Sequence, residues 1–248
     1  MSLRANAPPA PSVAALSLSS VAILFGGAPA PAPAAVGPDA VRAALLARPE
    51  ILAEAAQALQ ARQESSDRVD SVALVEANRD ALFGADGPAF GNPTGSKVVV
   101  EFFDYQCGFC RNAQPELLKA VEADRELKVI VRDFPILGEG SVVAAKAAIA
   151  AGVQDPYRPL HHALVKQPPP LDDGKVLEAA RVAGADLERL RADMESEAVE
   201  AAVRDGQELA RKLGINGTPS FAALGSGILK GFGNAARFTE FMGRADRP

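Results

Sequence analysis

Two short runs of β-branched and aromatic residues stand out against a background that is otherwise rich in helix formers. Residues 97–103 (KVVVEFF) predict a buried strand, and residues 127–132 (LKVIVR) a second. The stretch 107–123 between them predicts a helix, kinked at Pro115. Strand, helix and strand close a βαβ unit that prefers a parallel sheet. Residues 141–213 read almost wholly as helix, in pieces broken near Gly152, Pro168 to Pro170 and Gly184. Short strands at 220–224 and 228–230 flank the turn Gly225-Ser226-Gly227, and a last helix is expected over 234–242.

Upstream, Leu45, Leu52 and Leu59 recur at sevens with Ala55 and Ala56 between them, and Val69, Val72 and Val75 continue an apolar stripe towards Leu82. Residues 36–83 are therefore expected to form an N-terminal helical arm, with Asp39 as a cap and Pro49 at a break. The arm either folds back on its own domain or pairs with copies of itself. Residues 84–96, with Gly84, Gly87, Pro88, Gly91, Pro93 and Gly95, read as a linker. Residues 5–38 carry no charge. Arg4 precedes the apolar run 13–25, and small residues follow over 28–35. That order predicts a secretory signal peptide over 1–35, cleaved near Ala34 or Ala35. The apolar run is shorter than the ~20 residues that span a bilayer.

Composition narrows the chemistry. A net charge of −5 over 248 residues argues against a nucleic-acid partner. Two histidines, His161 and His162, rule out a design built on several. The two cysteines form one Cys107-Gly108-Phe109-Cys110 motif, too few for a disulfide framework or a four-ligand zinc site. No metal site or cofactor is expected. A cysteine between a strand and the first turn of a helix meets unpaired N–H groups that favour its thiolate, the attacking species in disulfide exchange. Cys107 is thus expected to be the exposed nucleophile and Cys110, one turn further in, the buried resolving thiol.

The segment Glu101-Phe102-Phe103-Asp104-Tyr105-Gln106-Cys107-Gly108-Phe109-Cys110 resembles the active-site segment of DsbA-like proteins of the thioredoxin superfamily. It is most similar to the ScsC-like branch with an added N-terminal helical region. Gly217-Thr218-Pro219 resembles the family's cis-proline loop, and Asp133-Phe134-Pro135-Ile136-Leu137 with Ser141 also looks like this branch. The resemblance implies an α/β thioredoxin fold over 97–245, with a helical insertion at about 138–213 and the N-terminal arm ahead of it. It implies a substrate-binding role for Thr218, Pro219, Gly108 and Phe109, and a proton relay to Cys110 by a buried Glu101. Tyr105 and Phe109 line a substrate groove or pack against the insertion. His161 is expected to pack within a helix layer, and Asp104 to serve a loop or cap.

The implied activity is thiol–disulfide exchange on exported, cysteine-containing proteins in the periplasm, with a membrane redox partner to reset the pair. Gly108-Phe109 and Thr218 resemble disulfide isomerases, and a homo-oligomer through residues 39–83 would suit that work. The alternatives are a DsbA-type dithiol oxidase and a copper-tolerance protein holding Cu(I) on the two thiolates.

Overall fold

A computed structural model describes residues 37–84, 87–153 and 157–246. The expected signal peptide, 1–35, lies outside the described residues. By its contacts the chain divides into two units, one ending at Ala53 and one beginning at Glu54. The described part of the first unit is α1 (Pro38–Ala47) and the first turn of α2 (Glu50–Ala77). Its cap differs from expectation. Gly37 is the N-cap and Pro38 occupies the first turn, where a residue without an N–H leaves nothing unsatisfied. Asp39 therefore sits inside the helix, beside its positive end, and makes no cap. Helix α1 buries no residue.

The second unit is built on a five-stranded sheet of β1 (Ala89–Gly91), β2 (Lys97–Phe103), β3 (Leu127–Asp133), β4 (Ser220–Ala223) and β5 (Gly227–Lys230), in the order β1-β3-β2-β4-β5. The β2–β3 pair is parallel, as the βαβ pattern requires, and the other pairs are antiparallel. Every residue of β2 after Lys97 is buried, so both sheet faces are covered and the run is apolar throughout except at Glu101. On one face, Val99, Phe103, Val129 and Val131 pack with α4 (Gly108–Ala123) and with α5 (Glu139–Val153), α6 (Tyr157–Lys166), α7 (Asp173–Val182) and α8 (Leu187–Met194). The other face packs Val98, Val100, Phe102 and Ile130 against α9 (Glu197–Lys212) and two residues of the N-terminal stretch, Val75 and Leu82.

The helical insertion between β3 and β4 is thus α5 to α9, and α10 (Ala235–Met242) closes the chain on the first face. Two boundaries move. Residues 84–96 are not a plain linker, because β1 lies within them and pairs with the outer side of β3. Nor does the N-terminal stretch stay apart as far as 83, because Val75 of α2 and Leu82 of α3 (Arg79–Phe83) are fully buried core residues of the second unit.

The end of α2 is seated on β5 through a glycine. Gly227 has φ +81°, and Ile228 donates its N–H to Ser71 Oγ at 3.3 Å. A Cβ at position 227 would fall on Ser71 Oγ and lie 3.0 Å from the Val72 nitrogen. Gly227→Val is expected to cost about 2–3 kcal/mol, from left-handed backbone strain together with the clash. Urea unfolding should show a lower midpoint, and an unchanged midpoint would mean that this seat contributes nothing.

Candidate active site

Strand β2 delivers the site. It ends at Phe103, and the turn Asp104-Tyr105-Gln106 carries the chain into α4. Asp104 is more than a loop residue. Although buried, its carboxylate accepts from the N–H groups of Gln106 (2.8 Å), Ile136 (2.8 Å) and Leu137 (3.1 Å) and from the Ser141 hydroxyl (2.7 Å). One side chain thereby ties the turn before the thiols to the start of the helical insertion. Gln106 adds a second tie: its amide donates to Leu137 O and Ser141 Oγ, both at 3.2 Å, and accepts from the Leu171 N–H at 2.7 Å.

Cys107 is the N-cap of α4, with extended backbone, and its sulfur accepts the Cys110 N–H at 3.4 Å. As a thiol it donates to the Thr218 carbonyl at 3.2 Å. Both cysteines are free thiols here. The Cys107 thiol is lowered to about 5. The side-chain hydrogen bond from Cys110 acts most strongly, partial burial opposes it, and the Thr218 side chain and the N–H groups of Cys110 and Phe109 add to the lowering. Cys110 moves the other way. Burial, then its hydrogen bond to Cys107 and the nearby Glu101, push it well above the ordinary thiol range. The two sulfurs of one motif are therefore poised oppositely: one is an anion at neutral pH, the other a protonated thiol.

The expectation of an exposed Cys107 needs correction. The residue is only 5% accessible, because the Thr218-Pro219 loop lies against it. Exposure belongs instead to its neighbours, Gly108 and Phe109, the latter 80% accessible. The Thr218–Pro219 peptide is cis. Beside it a groove of about 650 Å³ is lined by Phe109, Ala113, Thr218, Pro219, Phe232 and Asn234 among others. The residues expected to bind substrate thus border one groove, Gly108 excepted, which meets open space. Of the two aromatic candidates, Phe109 faces this groove. Tyr105 does not: it is buried, with its hydroxyl 2.9 Å from His161 Nδ1. His161 is fully buried among Phe90, Phe103, Tyr105 and Tyr157, and burial lowers it to about 3. It packs as a neutral ring.

Glu101 is fully buried on the sheet beneath the thiols, and neither carboxylate oxygen has a hydrogen-bond partner. Burial first, then the charges of Asp133 and Cys107, raise it to about 8. Asp133, for which the sequence suggests no role, is also buried and is raised to about 8 by burial and by Asp104. A signal for it did exist in the period-2 pattern: Leu127, Val129, Val131 and Asp133 alternate onto one buried face of β3. No cluster of three or more His, Cys, Asp or Glu side chains able to hold a metal ion occurs among the described residues. Among those residues no helix is long and apolar enough to cross a membrane.

Comparison with known proteins agrees with this geometry. Residues 98–239 match the DSBA-like thioredoxin domain, and residues 38–65 match the copper resistance protein ScsC N-terminal domain. A thioredoxin-like oxidoreductase from Silicibacter pomeroyi DSS-3 is 42% identical with a TM-score of 0.64, over 67% of this chain and 96% of that one. A periplasmic thioredoxin-like protein from Salmonella enterica serovar Typhimurium is 26% identical with a TM-score of 0.60, over 66% of this chain and 93% of that one. Na(+)/H(+) antiporter NhaA 1 of Salinispora arenicola is 26% identical over 156 residues, which are 62% of this chain and 23% of the antiporter, so the match spans about a quarter of that curated relative. With a strand-to-helix thiol pair, a facing cis-proline and a helical insertion in its sheet, the chain belongs to the DsbA-like thioredoxin-domain family of thiol–disulfide oxidoreductases.

Proposed function

We propose that this protein exchanges disulfides on exported, cysteine-containing proteins, working as an isomerase or reductase rather than as a pure dithiol oxidase. The observation that carries the exchange chemistry is the Cys107 sulfur at the mouth of α4, receiving the Cys110 N–H beside the Thr218-Pro219 groove. The Cys107 thiolate attacks one sulfur of a substrate disulfide. A Cys107–substrate bond forms, the substrate S–S bond breaks, and the other substrate sulfur leaves as thiolate. A second substrate thiolate can then displace Cys107, which rearranges the substrate with no net electron transfer. If Cys110 loses its proton to Glu101 and displaces the substrate instead, the substrate leaves reduced and a Cys107–Cys110 disulfide remains. A membrane redox partner would return that disulfide to the dithiol. Run backwards from the disulfide, the same steps oxidise a substrate dithiol.

Three features favour isomerase or reductase work. The dipeptide Gly108-Phe109 and the residue Thr218 resemble isomerases, and the N-terminal helices carry unpaired apolar side chains. Leu52 on α2 is 58% accessible and Leu59 is 68%, a spacing that suits pairing with further copies of the chain. A periplasmic setting fits the signal-like N-terminus and the presence of a periplasmic relative. The test pairs solution mass with two assays, insulin reduction and refolding of scrambled ribonuclease. The mature chain is expected to be an oligomer active in both assays. Leu52→Ser with Leu59→Ser is expected to give a monomer that still reduces insulin but has lost most refolding activity. A wild-type monomer, or a monomeric variant with full refolding activity, would remove the isomerase reading.

A further inference from the structure

Beside Glu101 lies a second buried carboxyl that the exchange steps leave unused. In the parallel β2–β3 register Glu101 pairs with Val131 and Phe103 with Asp133, so Asp133 sits two pairs further on, on the same face as Glu101. Glu101 is fully buried and Asp133 is 5% accessible. Both Glu101 oxygens and Asp133 Oδ1 lack a hydrogen-bond donor. We infer that Asp133 is a positioning residue for the resolving step: its carboxyl, set diagonally from Glu101 across two strands, fixes the charge state in which Glu101 receives the proton of Cys110. The inference rests on the proposed role of Cys110 as the resolving thiol.

The surrounding groups favour this coupling. Cys107 and Cys110 of α4 face Glu101, and the hydroxyls of Tyr105 and of Tyr157 from α6 stand close enough to feel both carboxyls. Burial and these charges push the tyrosines upward, so they stay neutral and add no negative charge. Arg132 attracts Asp133 and Asp104 repels it. Two such buried carboxyls, three of whose four oxygens lack a donor, cannot both stay ionised in these surroundings, and the pair gives up its protons in two separated steps. With Asp133 charged, Glu101 is the stronger base and is better matched to a buried thiol. With Asp133 neutralised, Glu101 ionises at lower pH and accepts the proton less readily.

The resolving step can be followed by mixing reduced protein with an aryl disulfide such as Ellman's reagent in a stopped-flow instrument. The first aryl thiolate is released when Cys107 attacks. The second is released when Cys110 passes its proton to Glu101 and displaces the remaining aryl sulfur. Asp133→Asn is expected to move the acidic midpoint of the second phase down by about one pH unit, leaving the first phase where it was. Asp133→Glu should keep the wild-type midpoint. In a Glu101→Gln background Asp133→Asn should shift nothing further. Asp133→Ser serves the same comparison if the asparagine variant does not fold. An unmoved midpoint in the folded neutral variants, or the same shift with Gln at 101, would overturn the inference. Absence of any second release in the wild type would instead defeat the role given to Cys110.

Discussion

Serine at position 107 is expected to lower the rate of disulfide reduction by about three orders of magnitude or more, with the fold intact. The Cys107 thiol is lowered to about 5 and is therefore almost wholly anionic at neutral pH, whereas a serine hydroxyl stays protonated there. Cys110→Ser should behave differently. It keeps the attacking thiolate but cannot resolve, so it should accumulate a Cys107–substrate mixed disulfide, visible on a non-reducing gel. The pH profile of alkylation gives an independent check. A small reagent should modify Cys107 with a midpoint near 5, slowed by its 5% accessibility but not blocked. Cys110 should stay unmodified in the folded protein. The same thiolate sets the redox poise, because stabilising the reduced form makes the disulfide easier to reduce. Against a thiol near 7, as in thioredoxin, a value near 5 stabilises the dithiol by about 2 kcal/mol at neutral pH, or about 50 mV, which places the couple at about −220 mV. A glutathione titration measures it. A potential at or below that of thioredoxin, or an alkylation midpoint near 8, would show that α4 does not hold an anion.

Much of this site is legible in the sequence, for identifiable reasons. Apart from Glu101 the run KVVVEFF is apolar on both faces, and only a central strand covered on both sides needs that. The position of Cys107 between this strand and a helix is local information, so its capping role followed from sequence. Its accessibility did not, because it depends on Thr218, 111 positions away in the chain. Strand β1 was hidden for the same kind of reason. Three residues, Ala89-Phe90-Gly91, among glycines and prolines carry no strand signal, and their partners in β3 are distant in sequence. Asp104 shows the opposite limit. Its type suits a turn, but that one carboxylate accepts from residues 136, 137 and 141 is a property of the folded chain alone. Asp133 is legible as a member of a buried alternation, but nothing in that alternation says what faces it.

The buried acid should make itself felt as a pH-dependent cost to folding. In the reduced protein the Glu101 carboxyl is raised from 4.5 to about 8, chiefly by burial. Between those two values the folded chain keeps a proton that the unfolded chain releases. The stability this proton confers is complete at low pH and is lost as pH rises, at about 1.4 kcal/mol per pH unit. Glu101→Gln has no proton to lose. It is therefore expected to be more stable than wild type by about 4 kcal/mol at pH 8 and by less than about 1 kcal/mol at pH 5. Other groups bend the absolute curve. Cys107, lowered to about 5, loses stability as pH falls; His161, lowered to about 3, does likewise as pH falls below its ordinary range. Both are common to wild type and variant, so the difference between the two chains isolates position 101. Asp133 is raised by the same burial, and its gain on replacement by Asn should not add fully to that of Glu101→Gln, since removing either charge relieves the other. Urea unfolding at the two pH values measures the difference. A variant whose advantage is the same at pH 5 and pH 8 would mean that Glu101 does not titrate in the folded protein, and that the proton taken from Cys110 goes elsewhere.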